Sequence, residues 1–102
     1  MMNKRSVKIN SKVPLDECIK IFLARGYYLH EKTADALILF KPGSAFTISM
    51  KRIPLELKIE IVNDDTVLSL KYGTLVLFDT GDLLKELSRL VRIIKSEVRA
   101  TA

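Results

Sequence analysis

The segment that decides the fold is LELKIEIVNDDTVLSLKY, residues 55–72. Large apolar residues occupy alternate positions on both sides of the triplet Asn63-Asp64-Asp65, and polar or smaller residues fill the positions between them. A period of two is typical of a strand with one buried face, and Asn and Asp favour turns. The segment therefore predicts two antiparallel strands joined by a turn, with one apolar face and one polar face.

The same alternation extends upstream to Tyr27. Turn residues at Thr33-Ala34-Asp35, at Pro42-Gly43-Ser44 and around Pro54 divide the stretch 27–72 into four or five strands. A further short strand is predicted at Arg5–Asn10, where apolar and polar residues again alternate. We therefore expect an antiparallel sheet of five or six strands.

Two segments carry the helical period instead. The first begins after Pro14, with Asp16 and Glu17 at the positive end of the helix dipole, and ends before Gly26. Its apolar stripe consists of Leu15, Cys18, Ile19, Phe22 and Leu23. The second helix is capped by Asp79, with Asp82 three residues later, and spans about five turns. Its apolar stripe consists of Leu83, Leu84, Leu87, Leu90, Val91, Ile94 and Val98.

The element order is therefore β-α-β-β-β-β-α, an α+β chain in which both one-sided helices cover the same face of the sheet. Its 102 residues suit a single domain over 1–102, with loose ends at 1–4 and 100–102. The order resembles the TATA-box-binding-protein-like and helix-grip folds in topology. That resemblance implies two questions: whether the open sheet face binds a polymer, and whether helices and sheet enclose a small ligand.

The composition of the chain predicts its cellular location. The one cysteine, Cys18, cannot form an internal disulfide, no leader peptide is visible, and no apolar run approaches the roughly 20 residues of a membrane-spanning helix. We expect a cytoplasmic protein without membrane insertion. The lack of Trp and Gln beside abundant Lys and Glu is a compositional signal of a thermophilic source.

The formal net charge is +5, and the first half of the chain carries all of the surplus. Strand parity predicts a basic open sheet face that could bind nucleic acid or an acidic partner, although a merely solvated face gives the same pattern. The lysines of this predicted face are Lys8, Lys41, Lys51, Lys58 and Lys71. No row of outward aromatic residues for base stacking is visible.

An apolar exception follows Gly73. Leu75 and Leu77 have the outward parity of the sheet, so they either are buried where the strand bends or project as a dimer patch.

Three tyrosines raise the possibility of an internal pocket. Tyr27, Tyr28 and Tyr72 could line a gap between helices and sheet that holds a small apolar ligand. The alternative interpretation is that the same rings fill the core.

Catalytic patterns are weak. Asp79-Thr80-Gly81, after Phe78, resembles the signature of aspartic proteases, but it lies late in the chain and opens a helix, where Asp79 would act as a cap. His30 is the only histidine, and Cys18 lies in an apolar stripe, so we expect no metal site, no cofactor and no enzyme activity.

The leading hypothesis is therefore a small non-enzymatic interaction domain that self-associates and has a macromolecular partner. The alternatives are a nucleic-acid binder that uses the lysine face and a carrier of a small apolar ligand.

Overall fold

The computed structural model describes residues 4–42, 54–72 and 82–101. In chain order, its elements are strand β1 (Lys4–Ile9), helix α1 (Leu15–Leu23), β2 (Tyr28–Lys32), β3 (Ala36–Lys41), β4 (Leu55–Val62), β5 (Asp65–Tyr72) and helix α2 (Asp82–Thr101). The predicted α+β class and the order β-α-β-β-β-β-α are confirmed.

The five strands of the described ranges form one antiparallel sheet in the order β1-β5-β4-β3-β2. Each described strand from β2 to β5 pairs antiparallel with the next, whereas β1 pairs with β5 at the far edge. Since β1 and β2 are the two edges, the chain between them must cross the width of the sheet. Helix α1 and its flanking loops make that crossing.

Both helices cover the same face of the sheet. α2 packs over β1 and β5, α1 packs over β2 and β3, and the two helices contact each other. The inward residues of the central strands, Leu57 and Ile59 on β4 and Leu68 and Leu70 on β5, are fully buried. The helices and the sheet therefore share one apolar core, as expected for a one-sided sheet.

The buried face of α1 is rotated relative to the predicted stripe. Cys18 and Phe22 are buried as expected, but Ile21 is buried in place of Leu23, which is 48% exposed. Leu23 lies in the last turn at the edge of the sheet, where nothing in the described part of the chain covers it. The exposure of Leu23 therefore depends on its position at the end of the helix and not only on the helical period of apolar residues.

The β4–β5 connection is the tightest turn of the sheet. Val62 pairs directly with Asp65, so only Asn63 and Asp64 lie between the strands, and both have positive φ (52° and 65°). Two consecutive positive φ values define a type I′ turn, whose twist matches that of the flanking strands. Asn and Asp tolerate this conformation better than most residues.

Strand β2 is irregular. Its pairing with β3 shifts register between Leu29 and Glu31, which marks a β-bulge at His30. All five residues of β2 are exposed. A bulge on an edge strand hinders further strand pairing, so this edge is poorly suited to extending the sheet.

Within the described ranges, neither α1 nor α2 is long and apolar enough to cross a membrane.

Candidate functional site

The open face of the sheet is the side opposite the two helices. Directly opposed residues in an antiparallel pair point to the same side, so the register assigns each outward side chain. One row across the sheet contains Lys4, Lys71, Glu56, Phe40 and Tyr28. The next row contains Ser6, Ser69, Lys58 and Ile38, and the third contains Lys8, Val67, Glu60 and Ala36. The face is therefore polar over β1, β5 and β4 apart from Val67, and mainly apolar over β3 and β2, where Glu31 lies opposite Ile38.

The lysines of the polar half lie beside carboxylates. Lys71 Nζ is 3.1 Å from Glu56 Oε2, and Lys58 Nζ is 3.8 Å from Glu60 Oε2. Lys8 forms a third pair at 3.6 Å with Asp65, at the end of β5. These pairs make the polar half a mixed-charge surface rather than a row of free cations.

The charge of the described open face balances. Its outward lysines are Lys4, Lys8, Lys58 and Lys71, and its outward carboxylates are Glu31, Glu56, Glu60 and Asp65. The surplus of +5 in the whole chain is therefore not located on the described strands of this face.

The centre of the polar half is fixed by a hydrogen bond between two hydroxyl groups. Ser6 Oγ and Ser69 Oγ are 2.9 Å apart across the β1–β5 pair, and Ser69 is buried. This contact ties the edge strand β1 to its neighbour on the outward side.

The other half of the face carries an apolar strip formed by Tyr28, His30, Ile38 and Phe40. The ring of Phe40 contacts Tyr28 at a centroid distance of 5.9 Å and His30, edge to face, at 4.6 Å. Tyr28 is 50% exposed, and Ile38 and Phe40 are half-buried although no described element covers them. Edge-to-face and tilted ring contacts at these distances are favourable and hold the side chains in place.

The sequence showed no row of outward aromatic residues, but the structure places the rings of Tyr28 and Phe40 on the open side of β2 and β3. Ala36 to Phe40 are all apolar, so the sequence of β3 has no alternation from which to read its two faces. The pairing of β3 with β4 resolves them: Leu37 and Leu39 point to the core, Ile38 and Phe40 outward. The sequence signal for the two faces of β3 was the alternation of polar and apolar residues in β4. That alternation can be transferred to β3 only once the register of the β3–β4 pair is known.

The structure separates the predicted lysine set. Lys8, Lys58 and Lys71 share the open face, whereas Lys41 has the inward parity of Leu37 and Leu39 and lies on the helix side. Its ammonium group is 5.7 Å from the centre of the Tyr27 ring. Lys51 lies outside the described residues.

The three tyrosines of the predicted pocket are not brought together. Tyr27 and Tyr72 are buried on the helix side, and Tyr28 lies on the opposite face of the sheet. The described residues therefore form no pocket lined by all three rings.

Tyr27 has an unusual environment. Its ring packs edge to face on Phe22 at 5.5 Å, and its buried hydroxyl group has no hydrogen-bond partner within the described residues. Burial, followed by the nearby carboxylate of Glu86, raises the pKa of Tyr27. Glu86 itself accepts two hydrogen bonds of 2.7 Å from Arg89, which lower its pKa.

Cys18 and His30 lie on opposite sides of the sheet. Cys18 is fully buried in α1, and burial raises the pKa of its thiol to about 12. His30 lies on the open face against Phe40. The two residues therefore cannot act as a thiol and base pair. Across the described ranges, no group of three or more His, Cys, Asp or Glu side chains could hold a metal ion.

Two predicted features, the Leu75 and Leu77 patch and the Asp79-Thr80-Gly81 motif, lie outside the described residues. Both stay predictions.

No family model matches this chain, and no curated protein matches it.

Proposed function

We propose that the protein is a non-enzymatic interaction domain that self-associates through the apolar strip of its open sheet face. The observation that carries this proposal is the contiguous cluster of Tyr28, His30, Ile38 and Phe40 on the side away from both helices. Contiguous exposed apolar surface on a folded domain is typical of an interaction site.

The charge of the face supports a second copy of the chain as the partner. The polar half pairs its lysines with its own carboxylates, so it requires no strongly charged partner. The strip contains no acidic or lysine side chain, although Glu31 lies beside it opposite Ile38, and a two-fold axis through it would place one strip on the other. Such an isologous contact would bury the apolar strips of both copies against each other.

The size of the strip sets the expected strength. It spans two of five strands, spaced about 4.8 Å apart, which gives much less than the roughly 800 Å² that each partner buries in a stable complex. We therefore expect a weak dimer whose population depends on protein concentration.

The test is sedimentation across a range of concentrations, with wild type compared with Phe40→Lys. The new lysine would lie opposite Glu56, so the fold should tolerate it while the strip gains a charge. The matched control is Val67→Lys, which adds the same charge to the same face outside the strip, opposite Lys8 and Glu60.

We expect the sedimentation coefficient of wild type and Val67→Lys to rise with concentration, and that of Phe40→Lys to stay at the monomer value. A wild type that is monomeric at every concentration, or a Phe40→Lys variant that associates normally, would refute the proposal. The double variant Leu75→Lys, Leu77→Lys tests the separately predicted dimer patch by the same measurement.

Single-stranded nucleic acid is a second candidate partner. The observation that favours it is the presence of exposed rings, Tyr28 and His30, on the same face as Lys58 and Lys71. Bases can stack on such rings while lysines contact phosphates. The carboxylates beside the lysines weaken this reading because a phosphate would have to displace them.

Salt dependence separates the two candidates. If the face binds nucleic acid, affinity for a short single strand falls steeply as salt is raised, and Lys71→Gln weakens binding. We expect no binding of a generic single strand even at low salt, in keeping with self-association.

The absence of enzyme activity and a cytoplasmic location remain part of the proposal. The burial of Cys18, with its raised pKa, supports the first, because a protonated thiol is a poor nucleophile. The presence of one cysteine in the whole sequence supports the second.

A further inference from the structure

A cleft of about 420 Å³ opens at one end of the sheet, away from the apolar strip. Its walls are the loop from β1 into α1, the turn between β2 and β3, and the last part of β4. The lining residues are Lys12, Val13, Pro14, Leu15, Asp16, Lys32, Thr33, Ala34 and Ile61. Small-molecule sites have volumes of about 300–1,000 Å³, so the cleft can hold a small organic molecule.

The first wall is fixed by a buried threonine of β5. Thr66 Oγ1 accepts a hydrogen bond from the backbone N–H of Val13 (2.9 Å) and donates one to the carbonyl oxygen of Ser11 (2.8 Å). Thr66 is fully buried, so water cannot compete for either bond. The loop that carries Lys12 is therefore held against the sheet.

Hydrogen bonds also hold the second wall. The Thr33 N–H donates to the Ala36 carbonyl at 2.9 Å, and the Ile61 N–H donates to the Asp35 carbonyl at 2.8 Å. The β2–β3 turn is thus fixed to β4. A cleft with two fixed walls loses little conformational entropy when a ligand binds.

The charged residues of the cleft leave one positive charge in excess. Lys32 Nζ lies 2.6 Å from Asp16 Oδ1, and this hydrogen bond lowers the pKa of Asp16, so the two charges compensate each other. Lys12 is exposed and forms no ion pair within the described part of the chain. Its ammonium group is available to an incoming anion.

The rest of the lining is mainly apolar. Val13 is buried, Leu15 and Ile61 are half-buried, and Pro14 and Ala34 are exposed. An aliphatic or aromatic body could pack on these side chains, and Thr33 adds a hydroxyl group.

We propose that this cleft binds a small organic anion, with the anionic head at Lys12 and an apolar body against Val13, Leu15 and Ile61. A carboxylate and a phosphate monoester share this chemistry. The site does not depend on the open sheet face, so it can be tested independently of self-association.

The experiment is a titration followed by amide chemical shifts in two-dimensional NMR, with benzoate, phenyl phosphate, acetate and benzyl alcohol as probes. We expect benzoate or phenyl phosphate to shift the amides of Lys12, Val13, Thr33 and Ile61, with a dissociation constant of about 1 mM. Acetate lacks the apolar body and benzyl alcohol lacks the charge, so both should bind much more weakly. Comparison of the two aryl anions identifies the preferred head group.

The variant that tests the anion contact is Lys12→Met, and we expect about fivefold weaker binding from the loss of one exposed charge contact. Lys12→Arg should retain binding. The matched control is Lys20→Met, which removes the same charge from an exposed position of α1 beside Glu17, outside the cleft.

Three results would overturn the proposal. One is the absence of cleft shifts with both aryl anions, and another is equal binding of benzyl alcohol and benzoate. The third is an equal loss of affinity in Lys12→Met and Lys20→Met. That result would show that Lys12 acts only through the net charge of the protein and not through a contact with the anion.

Discussion

Single buried polar groups set the local properties of this fold. Thr66 satisfies two backbone groups of the β1–α1 loop, whereas the hydroxyl group of Tyr27 has no partner in the described residues. Cys18 is a third buried group, in contact with apolar neighbours rather than with an ion. A buried ionisable group without a partner favours its neutral form, so protonation and folding are linked at such sites.

The raised pKa of Cys18 predicts a loss of stability in alkaline solution. Burial raises the pKa of the thiol from its ordinary value of 9.0 to about 12, so above about pH 9 an unfolded chain with an ordinary thiol binds fewer protons than the folded protein. The free energy of unfolding should therefore decrease as pH rises through this window, by at most about 1.4 kcal/mol per pH unit from this group. Urea unfolding between about pH 8 and pH 10 measures it, below the range where the raised pKa of Tyr27 dominates.

The variant for this prediction is Cys18→Ala, which loses the ionisable group. Its free energy of unfolding should be lower overall but should decrease less steeply with pH. Parallel curves for the two proteins would contradict the assignment to Cys18.

At the scale of elements, strand register decides which side chains face the core and which face outward where the sequence pattern is ambiguous. β4 and β5 alternate visibly, and their pairing then orients β3, which is apolar throughout. β2 differs from the other strands because its bulge and its edge position leave all of its residues exposed. The apolar strip arises where this exposed strand meets the outward side of β3.

The β4–β5 turn gives an element-scale prediction. Asp64 has a φ of 65°, a conformation that glycine adopts without strain, and Asn-Gly is the preferred pair for a type I′ turn. We expect Asp64→Gly to raise the free energy of unfolding by about 0.5–1 kcal/mol, as measured by thermal or urea unfolding.

The control substitution is Asp35→Gly in the β2–β3 turn, where φ is not positive. That change should not stabilise the protein, because glycine gains nothing there and loses conformational entropy on folding. Equal effects of the two substitutions would contradict the turn argument.

At the scale of the whole molecule, one apolar core joins both helices to the sheet. Buried residues of every described element except β2 belong to a single cluster. With one core, the helices have no separate source of stability, and a two-state transition is expected for a domain of this size. The open face, in contrast, contributes little to this core, and no described helix or strand covers it.

The shared core predicts coincident loss of secondary and tertiary structure. Leu87 is almost fully buried in α2, and Leu87→Ala should lower the free energy of unfolding by about 2–5 kcal/mol. Far-ultraviolet dichroism, which reports the helices, and the near-ultraviolet tyrosine signal should shift together.

The matched control is Leu84→Ala in the same helix, where the side chain is 51% exposed. This change should alter stability by less than about 0.5 kcal/mol. Separate midpoints for the two signals in Leu87→Ala would show that α2 unfolds independently of the sheet.

The candidate sites could be predicted from the sequence only in part. Lys8, Lys58 and Lys71 were assigned to one face from parity alone, and the strand register puts all three on the open side of the sheet. Lys41 was misplaced because the apolar run of β3 gives no alternation from which to read its face. Tyr28 was misplaced because it directly follows Tyr27, so in an extended segment the two rings point to opposite sides. The cleft was not predicted, since its walls come from three separate segments.

The sequence by itself determined the elements, their order and the one-sided character of helices and sheet, because hydrophobic period and turn chemistry are local properties of the chain. The tertiary structure decided which charges pair, which aromatic rings meet on the open face and which loops form the cleft. These features depend on strand register and on contacts between segments 55 or more residues apart, such as Thr66 with Ser11 and Ser6 with Ser69. No local period encodes such distances, so only the assembled fold specifies the surfaces at which the protein can bind.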